Sequence, residues 1–416
     1  MRALVLGYGR SGKAAEALLC RSGFSVTTLD GVAPFPSGDF DVAVVSPGVA
    51  LTHPWIVEAK RRGIPLKSEL QLGCEELRRR GWKLLAVTGS KGKSSVVKLV
   101  ADALCLSGRH AVPCGNYGVP VCEVASSTEA SDSNGASGSS DSRDARWAVV
   151  EVSSFMMETT ELPPDAFEAA AILNLQEDHL DRHGSVEVYH ALKRKLLTMT
   201  KAGVTEEDAV PLLKRKGFRF STLWERCYFD NEILAGNAAL SVLLMRAAGL
   251  DDACIAQAFR DFVPLPHRMN LIAERNGVRF VDDSKATSLA ALAAGVRMAS
   301  SIPHPSSPIP HPSILLIAGG LPKGDDPKSV LSTLTERVKK VYLIGQSAEA
   351  FCAAWKSAVD CEICGTMERA VEKVLREAEF GETVLLSPGT ASFDQFRSFG
   401  ERGDVFADLV KRESKK

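Results

Sequence analysis

The sequence predicts an α/β protein of three consecutive units, each organised around a mostly parallel, doubly wound sheet. Three observations predict it. Short apolar runs alternate with helix-like segments, and glycine-rich turns stand where a run passes into a helix. The pattern also restarts twice, after Arg78-Arg79-Arg80-Gly81 and after Pro264-Leu265-Pro266-His267-Arg268. The expected domains are therefore residues 1–80, 81–264 and 265–416. A chain of 416 residues has room for them, at about 100–200 residues per domain.

In the first unit a strand from Arg2 opens into Gly7-Tyr8-Gly9-Arg10-Ser11-Gly12, and a helix is expected over Lys13 to Cys20. Strands follow at Ser25 to Leu29, ending at Asp30, and at Val42 to Val45, ending in Ser46-Pro47-Gly48. The second unit opens with a strand over Lys83 to Thr88, a glycine turn over Gly89 to Lys93 and a helix from Ser94 to Leu106. Strands at Trp147 to Val152 and Ala169 to Leu173 and a helix over Asn237 to Ala248 continue it. In the third unit strands are expected at Arg279 to Val281, Ile314 to Ile317, Lys340 to Ile344 and Thr383 to Leu386, with a helix near Leu289 to Met298. Ser126 to Ala145, rich in Ser, Gly and Asp, and Ser300 to Ser313, rich in Pro, Ser and His, have no apolar period and read as surface loops. His304 and His311 in the second stretch read as exposed residues rather than metal ligands.

Composition excludes several function classes. Fifty Lys and Arg against 51 Asp and Glu leave a net charge of −1, so nothing draws the whole chain to nucleic acid or an anionic membrane. With 45% hydrophobic and 24% charged residues, the chain has the balance of a folded protein rather than a disordered one. No stretch approaches the roughly 18 apolar residues of a membrane span. Arg2, Arg10 and Lys13 break up the N-terminal apolar run, which does not read as a signal peptide. The ten cysteines are scattered through apolar contexts such as Leu104-Cys105-Leu106, as suits a reducing compartment, and a cytoplasmic protein is expected. Cys361 and Cys364 form one C-x-x-C with no second pair to complete a zinc site, and read as structural thiols.

The sharpest chemical signal is Thr88-Gly89-Ser90-Lys91-Gly92-Lys93-Ser94-Ser95. Between a strand and a helix, backbone N–H groups and the helix N-terminus can cradle phosphates, Lys93 can reach the β- and γ-phosphates, and the Ser94 hydroxyl can hold Mg²⁺. The turn is of P-loop type, although Val87 occupies the position of the first glycine in the strict motif. Gly7, Gly9 and Gly12 with Asp30 are compatible with a dinucleotide, with another nucleotide or with no ligand.

Further along stand Gly115-Asn116-Tyr117-Gly118-Val119-Pro120, Glu151-Val152-Ser153-Ser154-Phe155, Asn174 to Asp181, His267-Arg268, Asp282-Asp283-Ser284-Lys285-Ala286-Thr287 and Ser387-Pro388 through Phe396. With the Gly89 to Ser95 turn, this series resembles the Mur ligases of peptidoglycan synthesis. The Asp283 to Thr287 and Ser387 to Phe396 segments resemble the branch that adds D-glutamate. The resemblance runs in order from Gly7 to Phe406. It implies Rossmann-like N- and C-terminal domains around a central P-loop-type ATP-binding domain. It also implies ATP-dependent joining of D-glutamate to UDP-N-acetylmuramoyl-L-alanine through an acyl phosphate. The chemistry agrees: a carboxylate must acquire a leaving group before an amine can displace it, and ATP supplies one.

By the same resemblance, Lys93, Glu151, His179 and Lys193 carry catalysis. Glu151 and His179, past two strand ends, join Ser94 and Lys193 around Mg²⁺, two ions being expected. An ammonium would repel Mg²⁺, but Lys193 matches the family's Tyr-x-x-x-Lys from Tyr189, whose lysine is carboxylated by CO₂. ATP contacts fall to Gly89, Ser90, Lys91, Gly92, Lys93, Ser94, Ser95, Asn237, Arg268 and Asp283. The UDP-substrate falls to Gly7, Tyr8, Gly9, Arg10, Ser11, Asp30, Ser46, Pro47 and Gly48, with Asn116 and His179 at its muramoyl-alanine end. D-Glutamate falls to Lys285, Thr287, Lys323, Ser392, Phe393 and Phe399, two of them cations for its two carboxylates. Arg268 and Lys285 lie on a different unit from Lys93, so closure of the third unit is expected. The partners implied are small molecules alone, and a monomer is expected.

Read without the motifs around them, Glu151 is a solvated strand end, His179 a helix cap or core histidine, and Lys193 a helix-surface lysine. The chain departs from the family where Ile233 to Gly236 replaces a His-Asn before Asn237, in a short stretch from Lys201 to Asn231, at Lys91, and at Leu321-Pro322. The missing His-Asn motivates an alternative, a nucleotide-binding paralogue without ligase turnover. An NAD-dependent oxidoreductase built on Gly7 to Gly12 leaves the Gly89 to Ser95 turn unexplained.

Overall fold

The computed structural model describes residues 1–127, 145–177, 179–214, 234–301 and 313–412. They fall into two compact units, Met1–Phe262 and Val263–Lys416. Among the described residues no helix is long and apolar enough to cross a membrane.

The first unit holds two sheets. β1 (Arg2–Leu6), β2 (Ser25–Leu29), β3 (Val42–Val45) and β4 (Leu66–Ser68) form the first, in the order β2-β1-β3-β4 with every pair parallel. Ala3 to Leu6 is buried on both faces, which is why it reads as a continuous apolar run rather than an alternating one. The helix Arg10–Arg21 presses Ala14, Ala15, Leu18 and Leu19 onto this sheet. The chain runs from β1 to β2 on one side and from β3 to β4 on the other. The crevice of the open sheet therefore lies at the C-terminal ends of β1 and β3, where Gly7 and Ser46 stand.

The second sheet joins β5 (Lys83–Thr88), β6 (Ala111–Gly115), β7 (Trp147–Glu151), β8 (Ala169–Ile172) and β9 (Gly203–Val204) in the order β6-β7-β5-β8-β9, again all parallel. The helix Lys93–Leu106 buries Val96, Val97, Val100 and Leu104. One apolar cluster runs from Leu18 through Cys74 and Leu77 to Val121, Ala148 and Phe167, so the two sheets of this unit share a core.

The second unit carries β10 (Asn270–Arg275), β11 (Val278–Asp282), β12 (Ile314–Gly319), β13 (Val338–Ile344), β14 (Asp360–Gly365) and β15 (Thr383–Leu386), in the order β10-β11-β15-β12-β13-β14. Its strands are parallel except for the β10/β11 hairpin at one edge. Neighbouring strand residues feed opposite faces. Val281, Leu316 and Leu343 pack with Leu292 and Trp355, whereas Phe280, Ile317 and Tyr342 pack with Val371 and Phe406.

The strands expected at Ser25 to Leu29, Val42 to Val45, Lys83 to Thr88 and Thr383 to Leu386 form over those residues. Helices differ at their ends. The first spans Arg10–Arg21, the second starts at Lys93, the one expected from Asn237 spans Ala235–Ala247, and the one from Leu289 runs on to Ser301. The edge strands β4, β6, β9, β10 and β14 were not expected. They lack long apolar runs because an edge buries less of each residue. Ser126 to Ala145, Ser300 to Ser313 with His304 and His311, and the second half of Lys201 to Asn231 lie largely outside the described residues.

Candidate active site

The phosphate-type turn begins where β5 ends. Thr88 Oγ1 donates to the Val152 carbonyl at 2.8 Å, fixing the turn to the strand beside it. Ser90 N donates to the Asn174 carbonyl at 2.9 Å and Lys91 N to Asn174 Oδ1 at 2.8 Å, while Asn174 Nδ2 returns a bond to the Lys91 carbonyl at 3.0 Å. The helix then starts at Lys93 with Gly92 in the left-handed region as its cap. It has neither a capping side chain nor an acidic residue in its first turn. Such an end carries positive potential suited to an anion. Lys93 Nζ folds over the turn, donating to the Gly89 carbonyl at 2.9 Å and the Ser90 carbonyl at 3.1 Å. Ser94 follows, half-buried, and Ser95 is buried. Asn237 reaches the same turn without the family's preceding His-Asn: a Cβ on Gly92 would lie 2.1 Å from its Nδ2.

Glu151 ends β7 and is 2% exposed, so the solvated-strand-end reading is wrong. Its Oε1 accepts from Asn116 Nδ2 at 2.7 Å and its carbonyl from Asn116 N at 2.9 Å. Its Oε2 is buried with no hydrogen-bond partner. A buried carboxylate oxygen lacking a donor is costly unless something positive meets it. Carboxylate and hydroxyl oxygens are the ligands Mg²⁺ prefers, so Glu151 and Ser94 fit that ion. Among the described residues no three His, Cys, Asp or Glu side chains gather as a self-sufficient metal cage.

His179 stands at the N-cap of the short helix Leu180–His183 but does not cap it with its side chain, and it is not a core residue. It is exposed, has φ 53°, makes no capping bond, and lies 4.8 Å from the Phe155 ring and 6.2 Å from Tyr189. Lys193 is 1% exposed, which overturns the surface-lysine reading. Its helix, Val186–Arg194, is capped by Ser185 and carries the lysine inward. There Nζ donates to the Gly89 carbonyl at 2.9 Å and lies 4.5 Å from the centre of the Tyr189 ring. Tyr189 donates to Ser90 Oγ at 3.2 Å, tying the Tyr-x-x-x-Lys helix to the phosphate turn.

Several of the first-sheet residues are joined by hydrogen bonds. Gly7 N donates to the Leu29 carbonyl, Ser46 Oγ donates to the Gly7 carbonyl at 2.7 Å, and Tyr8 N reaches Asp30 Oδ1 at 3.4 Å. Gly7, Tyr8, Asp30 and Ser46 are thus tied together past the C-terminal ends of β1, β2 and β3, with Gly9, Arg10, Ser11, Pro47 and Gly48 following them in the chain. Arg10 Nη2 also donates to the Gly118 carbonyl at 3.1 Å, two residues beyond Asn116.

In the second unit the candidate residues follow the C-terminal ends of β11, β12 and β15. Asp283 accepts from Ser387 Oγ at 2.9 Å, and burial pushes its carboxyl up to about 7, against the opposing pull of that bond and of Arg268. Lys285 Nζ lies 3.8 Å from the centre of the Phe399 ring. Leu321 and Ala391 pair backbone to backbone, which sets the Lys323 loop beside Ser392. Ser392 is buried, Thr287 half-buried, Lys323 exposed and Phe393 70% exposed. Sequence reading missed Arg402, fully buried beneath these residues. It donates to Ser284 Oγ at 3.0 Å and to the carbonyls of Ser284, Thr390 and Ala391 at 2.9, 3.1 and 3.2 Å. The signal was present: Phe399, Arg402, Phe406 and Val410 share one helical stripe.

Residues 87–214 match the Mur ligase middle domain, and residues 267–389 the Mur ligase glutamate ligase domain. The UDP-N-acetylmuramoylalanine--D-glutamate ligase of Gloeobacter violaceus is 32% identical over 98% of each chain. The enzyme of the same name from Chlamydia caviae is 30% identical over 98% of this chain and 97% of its own. Among solved structures, the UDP-N-acetylmuramate-alanine ligase of Thermotoga maritima superposes with a TM-score of 0.61 at 17% identity over the whole of both chains. The MurF ligase of Thermotoga maritima in complex with ADP gives 0.57 at 16% identity, covering 90% of this chain and 95% of its own. At these identities the structures establish the fold alone.

Proposed function

The chain belongs to the Mur ligase family, and on that premise we propose that it joins D-glutamate to UDP-N-acetylmuramoyl-L-alanine, converting ATP to ADP and phosphate, in peptidoglycan precursor synthesis. One observation carries the reading: an uncapped helix start with Lys93 folded over the turn before it, beside a neighbouring strand that ends in Glu151 with its unpartnered buried oxygen. In this reading residues 1–80 receive the UDP-substrate, 81–264 bind ATP and 265–416 bind the amino acid.

The turn from Gly89 to Ser95 and Lys93 hold the triphosphate, with Asn237, Arg268 and Asp283 on the rest of the nucleotide. Asn116 and His179 hold the substrate's alanyl carboxylate in line with the γ-phosphorus. Its oxygen attacks, the bond to the β-phosphate oxygen breaks, and ADP leaves. The D-glutamate amine then attacks the acyl carbon, phosphate departs with the bonding electrons, and the nitrogen loses a proton. Lys285 and Lys323 take the amino acid's two carboxylates, with Thr287, Ser392, Phe393 and Phe399 around it. Mg²⁺ at Ser94, Glu151, His179 and Lys193 would neutralise charge on the transferring phosphoryl group.

For Lys193 the reading is a carbamate formed from CO₂. A buried ammonium next to a cation site is repulsive, whereas a carbamate offers oxygen ligands. Its nitrogen would keep one N–H, enough to donate to the Gly89 carbonyl that Nζ now meets. The nine described cysteines are all unpaired, as fits a protein of a reducing compartment such as the cytoplasm, and a monomer is part of this reading. Phosphate release from ATP and UDP-N-acetylmuramoyl-L-alanine is the test. Release that requires D-glutamate and ignores L-glutamate is expected. ATP binding with no amino-acid-dependent release would instead favour a paralogue without turnover.

A further inference from the structure

We infer that Arg182 is a positioning residue that locks the loops receiving the UDP moiety to the place where the substrate's carboxylate meets ATP. The inference rests on the ligase reading above and deepens it. Such a substrate is bound at one end by the first sheet and reacts at the other beside the second sheet. The offset between the two sheets therefore decides whether the carboxylate lies in line with the γ-phosphate.

Arg182 spans that offset. Its guanidinium makes a two-pronged pair with Glu158, Nε to Oε1 at 3.0 Å and Nη2 to Oε2 at 2.6 Å, and both side chains are largely buried. Nη2 also donates to the Val49 carbonyl at 2.9 Å and lies 3.5 Å from the Pro47 carbonyl, in the turn that follows β3. That turn is already joined to the first glycine loop through the Ser46 bond to the Gly7 carbonyl. In the other direction the guanidinium carbon lies 5.2 Å from the centre of the Phe155 ring, and Phe155 contacts His179 at 4.8 Å. His179 leads through Tyr189 to Ser90 of the phosphate turn. One side chain thus links the UDP loops to the acyl-transfer site, and only a planar fork with several donors can serve a carboxylate and a strand-end turn together.

The geometry separates positioning from binding. The Ser46 to Val49 turn keeps its own bonds, Val49 N to the Ser46 carbonyl at 3.0 Å and Ser46 Oγ to Gly7, when Arg182 is lost. Each half of the site should therefore still take its own ligand, while the two halves lose their mutual alignment.

The experiment measures, for the unaltered chain, Arg182→Ala and Arg182→Lys, the affinity for UDP alone, the affinity for ATP, and kcat for D-glutamate-dependent phosphate release. In Arg182→Ala, UDP and ATP affinities within about twofold of the unaltered chain are expected with kcat down about 10- to 100-fold, the range for a misplaced reacting group. Arg182→Lys, which keeps the charge but not the fork, should regain only part of the loss. Unchanged kcat would overturn the inference, as would UDP affinity falling in step with kcat, the mark of a collapsed loop. If Arg182→Ala does not fold, Glu158→Gln weakens the same anchor and is read by the same criteria. Turnover by the unaltered chain tests the ligase reading itself, separately from Arg182.

Discussion

Replacing Gly92 by alanine tests the phosphate turn from its own geometry. Gly92 has φ +85°, and an added Cβ would lie 2.1 Å from Asn237 Nδ2 and 3.0 Å from its Cγ. Holding an L-residue in the left-handed region costs roughly 1–2 kcal/mol. Asn237 must also move, straining its 3.4 Å contact with Asn174 Nδ2, an interaction of the kind worth about 1 kcal/mol. The combined cost is about 2–3 kcal/mol. If the turn keeps its shape, the cost appears as a melting temperature lowered by about 4–12 °C, at about 2–4 °C per kcal/mol for a unit of this size. If the turn relaxes, the cost appears on ATP binding as an affinity lowered about 30- to 150-fold. Melting curves and calorimetric titration with Mg-ATP read both channels. Gly236→Ala, one residue from Asn237 and with nothing within 4 Å of its Cβ, is the control and should be neutral or stabilising. A Gly92→Ala chain that melts and binds ATP like the unaltered one, or a control that is equally damaged, would refute the reasoning.

Three further outcomes are expected. Lys193→Ala should nearly abolish turnover, while Lys193→Glu keeps some and added acetate restores part of the alanine variant's rate; equal and unrescued losses in a steady-state assay would count against a carboxylate at this position. Burial raises the Glu69 carboxyl to about 7, so its contribution is fully present below the ordinary carboxylate range and is lost as pH climbs through about 7. Glu69→Gln keeps an acceptor for Cys122 N, now at 2.6 Å, and should therefore gain in melting temperature relative to the unaltered chain between about pH 5 and pH 8; a constant difference would contradict this. Arg402→Met leaves the carbonyls of Ser284 and Thr390 without their donor, that of Ala391 keeping Leu321 N, and should cost about 2–3 kcal/mol or more in chemical denaturation, whereas Arg402→Lys should raise the KM for D-glutamate with ATP affinity unchanged.

Much of this architecture was legible because parallel sheets write themselves plainly. A strand buried on both faces is an unbroken apolar run, and Lys83 to Thr88 or Val42 to Val45 admits little else. The glycine turns were legible for the same reason, since Gly89, Gly92 and Gly7 stand where the backbone is left-handed. The edge strands were not: β10 pairs through a bulged hairpin and keeps most of its residues half-exposed, so its pattern carries no clear period. The motif residues at the phosphate turn were found as a set, but their burial was not readable. Glu151 and Lys193 look like surface charges until the chain is folded around them. Arg182 was invisible because its partners, Glu158 and the Ser46 to Val49 turn, lie far from it in sequence and obey no local spacing. Arg402 could have been noticed as the one cation on an apolar helical stripe, yet its role depends on three carbonyls that only the folded loops present.

The proposed ligase chemistry requires that a phosphoryl group pass to the substrate's carboxylate at the Lys93 turn. Labelling both oxygens of that carboxylate with heavy oxygen and analysing the products by mass spectrometry tests this directly. One labelled oxygen in each released phosphate, with the other retained in the new amide, is the predicted result. Phosphate free of label, with both labelled oxygens left on the unreacted substrate, would contradict it.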